Sequence, residues 1–373
     1  MTDTCELAPS DRLGLQQPRT PARQATIAGI GTATPPTSYS QAELLEIFRI
    51  TDRRVRSMFL NSHIERRHLT LPQPNEDGTL PIESQSQLLK KHLRCAVDLG
   101  ADAVHACLRS ANAATSDIAF LCCVTTTGFL SPGLSAFLCR ELRTSRACSR
   151  LDVVGMGCNA GLNALNVTAA WAKANPGRLA VMLCVEICSA AYVIDDTVRT
   201  AVVNSLFGDG AAAVALIATD EETAPSGPAI LNFHSRIITD AIGAMRYDWD
   251  EAHGRFSFFL DPQIPYILGA NIESTIDALL SQNELRRSNI AHWLVHSGGK
   301  KVIDAIRVNL GMSRHDLRHT IGVLRDCGNV SSASFLFSYE RLLAEGQVAR
   351  DDYGVMITMG PGSTIESALL QWR

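Results

Sequence analysis

Cys158 has the setting of a reactive group. It stands in VVGMGCNAGLNALNV, flanked by Gly155-Met156-Gly157 and Asn159-Ala160-Gly161, where a strand-like apolar run gives way to a helix-like one. A helix N-terminus carries roughly half a positive charge and unpaired N–H groups. Both favour a thiolate and suit a developing oxyanion, and thiol pKa values there fall below the free value of about 8.5. The sequence therefore predicts an accessible, low-pKa thiol at Cys158. The competing reading is a packed core thiol, the usual state of a buried cysteine. His296 ends the apolar run HWLVHSGG, and strand ends of this kind carry functional side chains in parallel architectures. Asn329 lies in DCGNVSSAS and by type alone is a helix-capping asparagine.

A repeat in the chain relates these residues. SDIAFLCCVTTTG from Ser116 returns as SNIAHWLVHSGG from Ser288, and the same offset carries Cys158 to the turn beside Asn329. RLAVMLCVEIC from Arg178 and YGVMITMGPG from Tyr353 follow as strands in their respective halves. Each half reads strand, helix, strand, helix, strand, which predicts parallel sheets covered by helices. Small and apolar residues fall on all sides of 158–172, so that helix is expected to be buried all round. A second small-faced helix follows Val330. Two such helices packed between two sheets give an α/β fold of five layers, αβαβα, from two duplicated halves. The expected division is a tail at 1–24, a first half at 25–228 carrying the cysteine, and a second half at 229–373 carrying His296 and Asn329. ETAPSGPA around Pro225 is the expected joint, and LPQPNEDGTLPIES from Leu71 a long loop.

Composition removes other classes. Net charge is −4, so no basic field points to nucleic acid. No apolar run reaches the roughly 18 residues of a membrane helix, and the first ten residues lack the regions of a signal peptide. The eleven cysteines lie mostly in apolar runs, as reduced thiols of a cytoplasmic protein would. Cys184 and Cys188 in CVEIC have no second pair at metal spacing, so no metal is expected. No glycine loop for a nucleotide is present either; the GDG from Gly208 reads as a turn before a strand.

GMGCNAG, LFGDGAAAV, WLVHSGG, GNVSSAS and TMGPGSTIE together resemble the type III polyketide synthases, the chalcone-synthase-like branch of the thiolase fold. The likeness runs from about Ala25 to the C-terminus. CCVTTTGFLSPGLSAF, MRYDWD and RFSFFLDPQIPY are more similar still to bacterial members that make 3,5-dihydroxyphenylacetyl-CoA, the precursor of dihydroxyphenylglycine in glycopeptide antibiotics. The resemblance implies that Cys158 accepts the acyl group and that His296 and Asn329 hold the thioester oxygen of malonyl-CoA. It implies gating aromatics at Phe207 and Phe258 and a cavity floor at Gly360, Pro361 and Gly362. Arg54 matches one basic CoA contact, while Ser57 and Asn61 replace others; Arg53, Arg56, Arg66 and Arg67 are possible substitutes. Ser131-Pro132 falls where plant relatives place a Met-Pro step that reaches into the neighbouring subunit.

The implied activity extends malonyl-CoA to a tetraketide, then closes a carbon–carbon ring, dehydrates and aromatises it, with no cofactor beyond the CoA substrate. Expected partners are malonyl-CoA, the CoA-linked product, a second copy of the chain and auxiliary dehydratase-type enzymes. Three rivals stand beside it: a single-step ketoacyl-carrier-protein synthase, a Cys-His-Asn hydrolase, and a non-catalytic scaffold of the same fold.

Overall fold

The computed structural model describes residues 23–194, 197–220 and 224–373. The expected tail lies outside them except for its last two residues, as do 222–223 of the expected joint. The first half runs β1 (Ala25–Ala33), β2 (Ser38–Ser40), α1 (Gln41–Ile47), α2 (Arg53–Leu60), β3 (Arg66–His68), α3 (Gln85–Ser110), β4 (Ile118–Val124), α4 (Leu134–Glu141), β5 (Ser149–Val153), α5 (Ala160–Ala174), β6 (Leu179–Glu186), α6 (Val198–Leu206) and β7 (Gly210–Ala218). The second runs β8 (Ala229–Ile237), β9 (Met245–Asp250), β10 (Arg255–Leu260), α7 (Ile264–Ser281), β11 (Ile290–Val295), α8 (Lys300–Asn309), α9 (Arg318–Cys327), α10 (Ser334–Glu345), β12 (Tyr353–Gly360) and β13 (Thr364–Gln371).

Local chemistry sets several of these boundaries. Ser84 and Gln87 form a reciprocal capping box that starts α3 just after the long loop. Gly346, in the left-handed region, ends α10. Strand β6 is buried at every position, as a strand covered on both faces must be.

The layers are those of the thiolase fold. Helices α3 and α4 cover the outer face of the first half's strands, and α7 covers the outer face of β8 and β13 with α8 against it. Helices α5 and α10 touch strands of both halves and fill the space between them. The strands are mixed in direction, which departs from the parallel expectation. β4 pairs in parallel with β5 and β6, and β11 with β12. β1–β7, β6–β7, β12–β13 and β13–β8 are antiparallel. The connection Pro361–Ser363 is too short for a crossover, so β13 must return beside β12 in the opposite sense. The two halves join edge to edge where Ala25 and Thr26 of β1 meet Ile230 and Ala229 of β8, giving the order β11-β12-β13-β8-β1-β7-β6-β4-β5.

The repeat has a matching local geometry. A short 3-10 turn, Gly157–Asn159, leads into α5, and another, Ser331–Ala333, leads into α10. Helix α5 is not buried all round: Asn166, Val167 and Ala170 form an exposed stripe. Its opposite face meets the α10 turn so closely that a Cβ at Gly161 would lie 2.5 Å from the Ser332 carbonyl oxygen and 2.6 Å from the Phe335 ring. No described helix is long and apolar enough to cross a membrane.

Gly161→Ala is expected to destabilise the protein by about 1–3 kcal/mol through overpacking against backbone. Urea unfolding checks this; an unchanged midpoint would show that the two central helices can separate without cost.

Candidate active site

The turn before α5 holds Cys158 inside the molecule, 7% exposed. Its Sγ lies 3.4 Å from Ser331 Oγ on the turn before α10. The β12–β13 connection closes around the same turn. A Cβ at Gly360 would lie 2.7 Å from the Asn159 amide nitrogen and 3.0 Å from that of Cys158, so only glycine lets the strand end approach these N–H groups. Pro361 fills the space beside Gly157, and Gly362 takes the positive φ that the turn needs.

Ser331 connects the other two candidate residues to Cys158. Its N–H donates to Asn329 Oδ1 at 2.9 Å, which fixes the amide and turns Nδ2 the other way. Asn329 Nδ2 has one long contact, 3.5 Å to the Gly298 carbonyl, leaving donor capacity free. The Ser331 carbonyl accepts from Ser334 Oγ at 2.9 Å, and Ser334 Oγ also contacts His296 Nδ1. The Ser334 hydroxyl has one proton and spends it on Ser331. It therefore accepts from Nδ1–H, and neutral His296 carries its lone pair on Nε2. The turn is placed from below by β-like pairing of Phe207 with Asn329: Asn329 N–H donates to Leu206 O at 2.8 Å, and Gly208 N–H donates to Asn329 O at 3.0 Å.

At rest Cys158 and His296 are both uncharged, and this corrects the expectation of a low-pKa, accessible thiol. Burial pushes the Cys158 thiol up to about 12, and the nearby Glu186 charge adds to it, outweighing the Ser331 hydrogen bond. Burial also pulls the His296 imidazole down to about 4. Desolvation beats the helix N-terminus here because neither group reaches water.

Sequence reasoning did not single out Glu186. This fully buried carboxylate at the end of β6 accepts from Thr126 N–H at 2.9 Å, Thr126 Oγ1 at 3.0 Å, Thr127 Oγ1 at 3.1 Å and Ser332 Oγ. Burial raises its pKa. Thr126 Oγ1 lies 3.3 Å from Ser331 Oγ, so a chain of polar contacts runs from Cys158 through Ser331 and Thr126 to Glu186. The available signal was a lone acid at the end of a wholly apolar strand. Ser331, Ser334 and Tyr247 were also missed; serines and a tyrosine in a strand have no distinctive sequence setting.

The cavity beside Cys158 is lined by Thr126, Thr127, Cys188, Phe207, Tyr247, Phe258, Ser331 and Pro361 among others. His296 and Asn329 are buried and do not line it. The Phe207 and Phe258 rings meet edge to face at 5.8 Å, and Tyr247 packs on Phe258 at 5.1 Å. The volume left is about 20 Å³, room for little more than one water.

The arginines divide. Arg54 is exposed on α2 and does not line the cavity. Arg67 is fully buried, which removes it as a CoA contact. It donates to Phe207 O at 2.7 Å, Tyr192 Oη at 2.8 Å and Gln41 Oε1 at 2.9 Å, and so supports Phe207 from beneath. Arg66 is tied to Ser38, and Arg56 to the Ile50 carbonyl.

Known proteins share this arrangement of chain. The family models for the N-terminal and C-terminal domains of chalcone and stilbene synthases match residues 15–220 and 237–372. A 3,5-dihydroxyphenylacetyl-CoA synthase of Streptomyces toyocaensis is 66% identical over 93% of this chain and 90% of its own length. One from Amycolatopsis orientalis is 63% identical over 92% of this chain and 93% of its own. The crystal structure of PKS-I from the brown alga Ectocarpus siliculosus superposes with a TM-score of 0.88 at 25% identity, over 95% of this chain and all of that one. With both halves matched and two-thirds identity to a relative over nine-tenths of its length, the chain belongs to the chalcone and stilbene synthase family, the type III polyketide synthases.

Proposed function

We propose that this enzyme condenses malonyl-CoA units by decarboxylative Claisen steps to a tetraketide and cyclises it to 3,5-dihydroxyphenylacetyl-CoA. The observation that carries the roles of its residues is the hub at Ser331, which ties Cys158, Asn329 and, through Ser334, His296 into one rigid group. The product assignment rests on the similarity to the two synthases.

The chain starts on Cys158. As the thioester seats, the thiol proton passes to Nε2 of His296 and the sulfur attacks the thioester carbon. CoA leaves as its thiolate and recovers that proton. Buried separately, neither group ionises; as a thiolate–imidazolium pair each offsets the other's desolvation. Backbone N–H groups of the Cys158 turn stand ready for the oxyanion. A second malonyl-CoA then loses CO2, and its enolate oxygen takes hydrogen bonds from Asn329 Nδ2 and the His296 imidazole. Ser334 allows the required tautomer: turning its hydroxyl from Ser331 O to Nδ1 leaves the proton on Nε2. The enolate carbon attacks the acyl group on Cys158, and the thiolate is the leaving group. Condensation, dehydration and aromatisation exchange no electrons with an outside carrier, so no redox cofactor is required.

Access needs Phe258 to part from Phe207. An aromatic pair contributes about 0.5–1.5 kcal/mol beyond its buried area, so opening the β9–β10 hairpin is a modest cost. Arg54 and its neighbours on α2 offer charge for the CoA phosphates. A second copy of the chain would cover Phe129, which is 75% exposed beside Ser131-Pro132, together with Val154 and Val167. Sedimentation at micromolar concentration should give a dimer; a monomer would contradict this part of the reading.

Mass spectrometry of products from malonyl-CoA and the purified enzyme tests the whole reading. The tetraketide-derived aromatic thioester is expected, and auxiliary dehydratase-type enzymes should only raise its yield. A single-extension product would favour the ketoacyl synthase alternative, and bare thioester hydrolysis the hydrolase.

Cys158→Ala should lose the covalent acyl-enzyme but still release CO2 from malonyl-CoA. Asn329→Ala should slow CO2 release on the order of a hundredfold, as loss of one oxyanion donor does. Labelled CO2 and intact-protein mass distinguish the two, and equal loss of decarboxylation in both variants would end the proposed division of labour.

The thiol should react with iodoacetamide at least about tenfold faster at neutral pH in the wild type than in His296→Ala, because the imidazole takes its proton as the sulfur attacks the electrophile. In Ser334→Ala the tautomer is no longer held, and the pH–rate profile of acylation should shift while the fold is kept. Equal alkylation rates with and without His296 would show that the imidazole does not serve the thiol.

A further inference from the structure

A second cavity, of about 330 Å³, lies on the other side of the Cys188–Ala191 turn. Cys188 and Ala191 face the Cys158 cavity; Ser189, Tyr192 and Val193 face this one. Its walls are largely apolar, with Phe48, Leu71, Leu80 and Val193 among them, and Ile82 at its rim is 86% exposed.

Arg255 is set into this lining and is only 9% exposed. Its hydrogen bonds are two long contacts to carbonyls, Nε to His253 O at 3.4 Å and Nη1 to Tyr192 O at 3.5 Å. Among the described residues no Asp or Glu pairs with it. The other charges of the lining are engaged. Lys91 is bound to Glu83 at 2.6 Å and also meets Ser189 O. Exposed Arg49 donates to Asp77 O at 2.7 Å, and His253 contacts Asp250 at 2.9 Å. Among the described residues, one buried guanidinium is therefore left without a counter-charge in a largely apolar lining. Such a group is costly unless an anion joins it.

We propose that this cavity binds an amphipathic monocarboxylate, its carboxylate on the Arg255 fork and its apolar chain along Phe48, Leu71 and Leu80. Carboxylate matches the planar guanidinium bidentately. A single negative charge fits better than a phosphate dianion, because Glu83 lines the same space. The site is separate from the Cys158 cavity, and its occupancy does not depend on the condensing reaction.

Calorimetry on the full chain with decanoate as probe tests the proposal, with 1-decanol and decyl phosphate as controls. Decanoate should bind the wild type and bind Arg255→Gln on the order of tenfold or more weakly, the loss expected for a charged hydrogen bond. Decanol should bind both alike, and decyl phosphate more weakly than decanoate. Leu80→Trp, which fills the cavity from a loop, should abolish decanoate binding with unchanged circular dichroism, and serves as the deciding variant should Arg255→Gln fail to fold. No decanoate binding at millimolar concentration, equal binding by wild type and both variants, or tighter binding of decyl phosphate would each overturn it.

Discussion

The candidate site depends on one residue in an unfavourable backbone conformation. Ser331 has φ +46, in the left-handed region that costs a non-glycine residue about 1–2 kcal/mol. That conformation lets three groups of one serine serve three directions. The hydroxyl meets the Cys158 sulfur, the N–H fixes the Asn329 amide, and the carbonyl takes the Ser334 proton and so sets the tautomer of His296. Strain of this kind persists only where the surroundings over-determine it. Here they do: Gly161 of α5 packs against the Ser332 carbonyl, and Asn329 is paired with Leu206 and Gly208 on either side of Phe207.

Burial then decides the electrostatics. A helix N-terminus and the Ser331 hydrogen bond favour a thiolate, yet the enclosed thiol stays protonated, and the His296 imidazole stays neutral for the same reason. A site that is uncharged at rest avoids holding an unpaired thiolate in a dry cavity. In the proposed mechanism, charge separation waits until a thioester is present and two opposite charges form together. Glu186 is the exception that needs explaining. Four donors surround its carboxylate, which is how a buried acid is tolerated beside a nucleophile.

The aromatic wall beside Cys158 is supported by the same economy. Arg67, buried beneath Phe207, satisfies the carbonyl that a strand partner would otherwise take and positions Tyr192 with it. Asp209, equally buried, binds Thr70 and Ser189 and supplies the compensating charge nearby. The aromatic contact between Phe207 and Phe258 thus rests on a fixed ring on one side and a hairpin ring on the other.

Much of this was legible in the chain. The glycine-framed Cys158, the strand-ending His296 and the repeat-related turn at Asn329 were singled out from the chain and meet around Ser331 in the fold, because local residue order sets strand ends and helix starts. The duplication gave the five layers for the same reason: each half must bury one face, and small residues on two central helices let the halves share it. Strand direction was not legible, since it depends on whether a connection such as Pro361–Ser363 has room to cross over. The exposed stripe of α5 was not legible either, because apolar residues on every side of a helix do not say which side is left uncovered. Arg67 had the sequence setting of a surface cation and became a buried support; only tertiary packing decides which arginines keep their water. The protonation of Cys158 and His296, the partners of Glu186 and the burial of Arg255 were all settled by enclosure, a property of the folded volume that no local stretch of sequence carries.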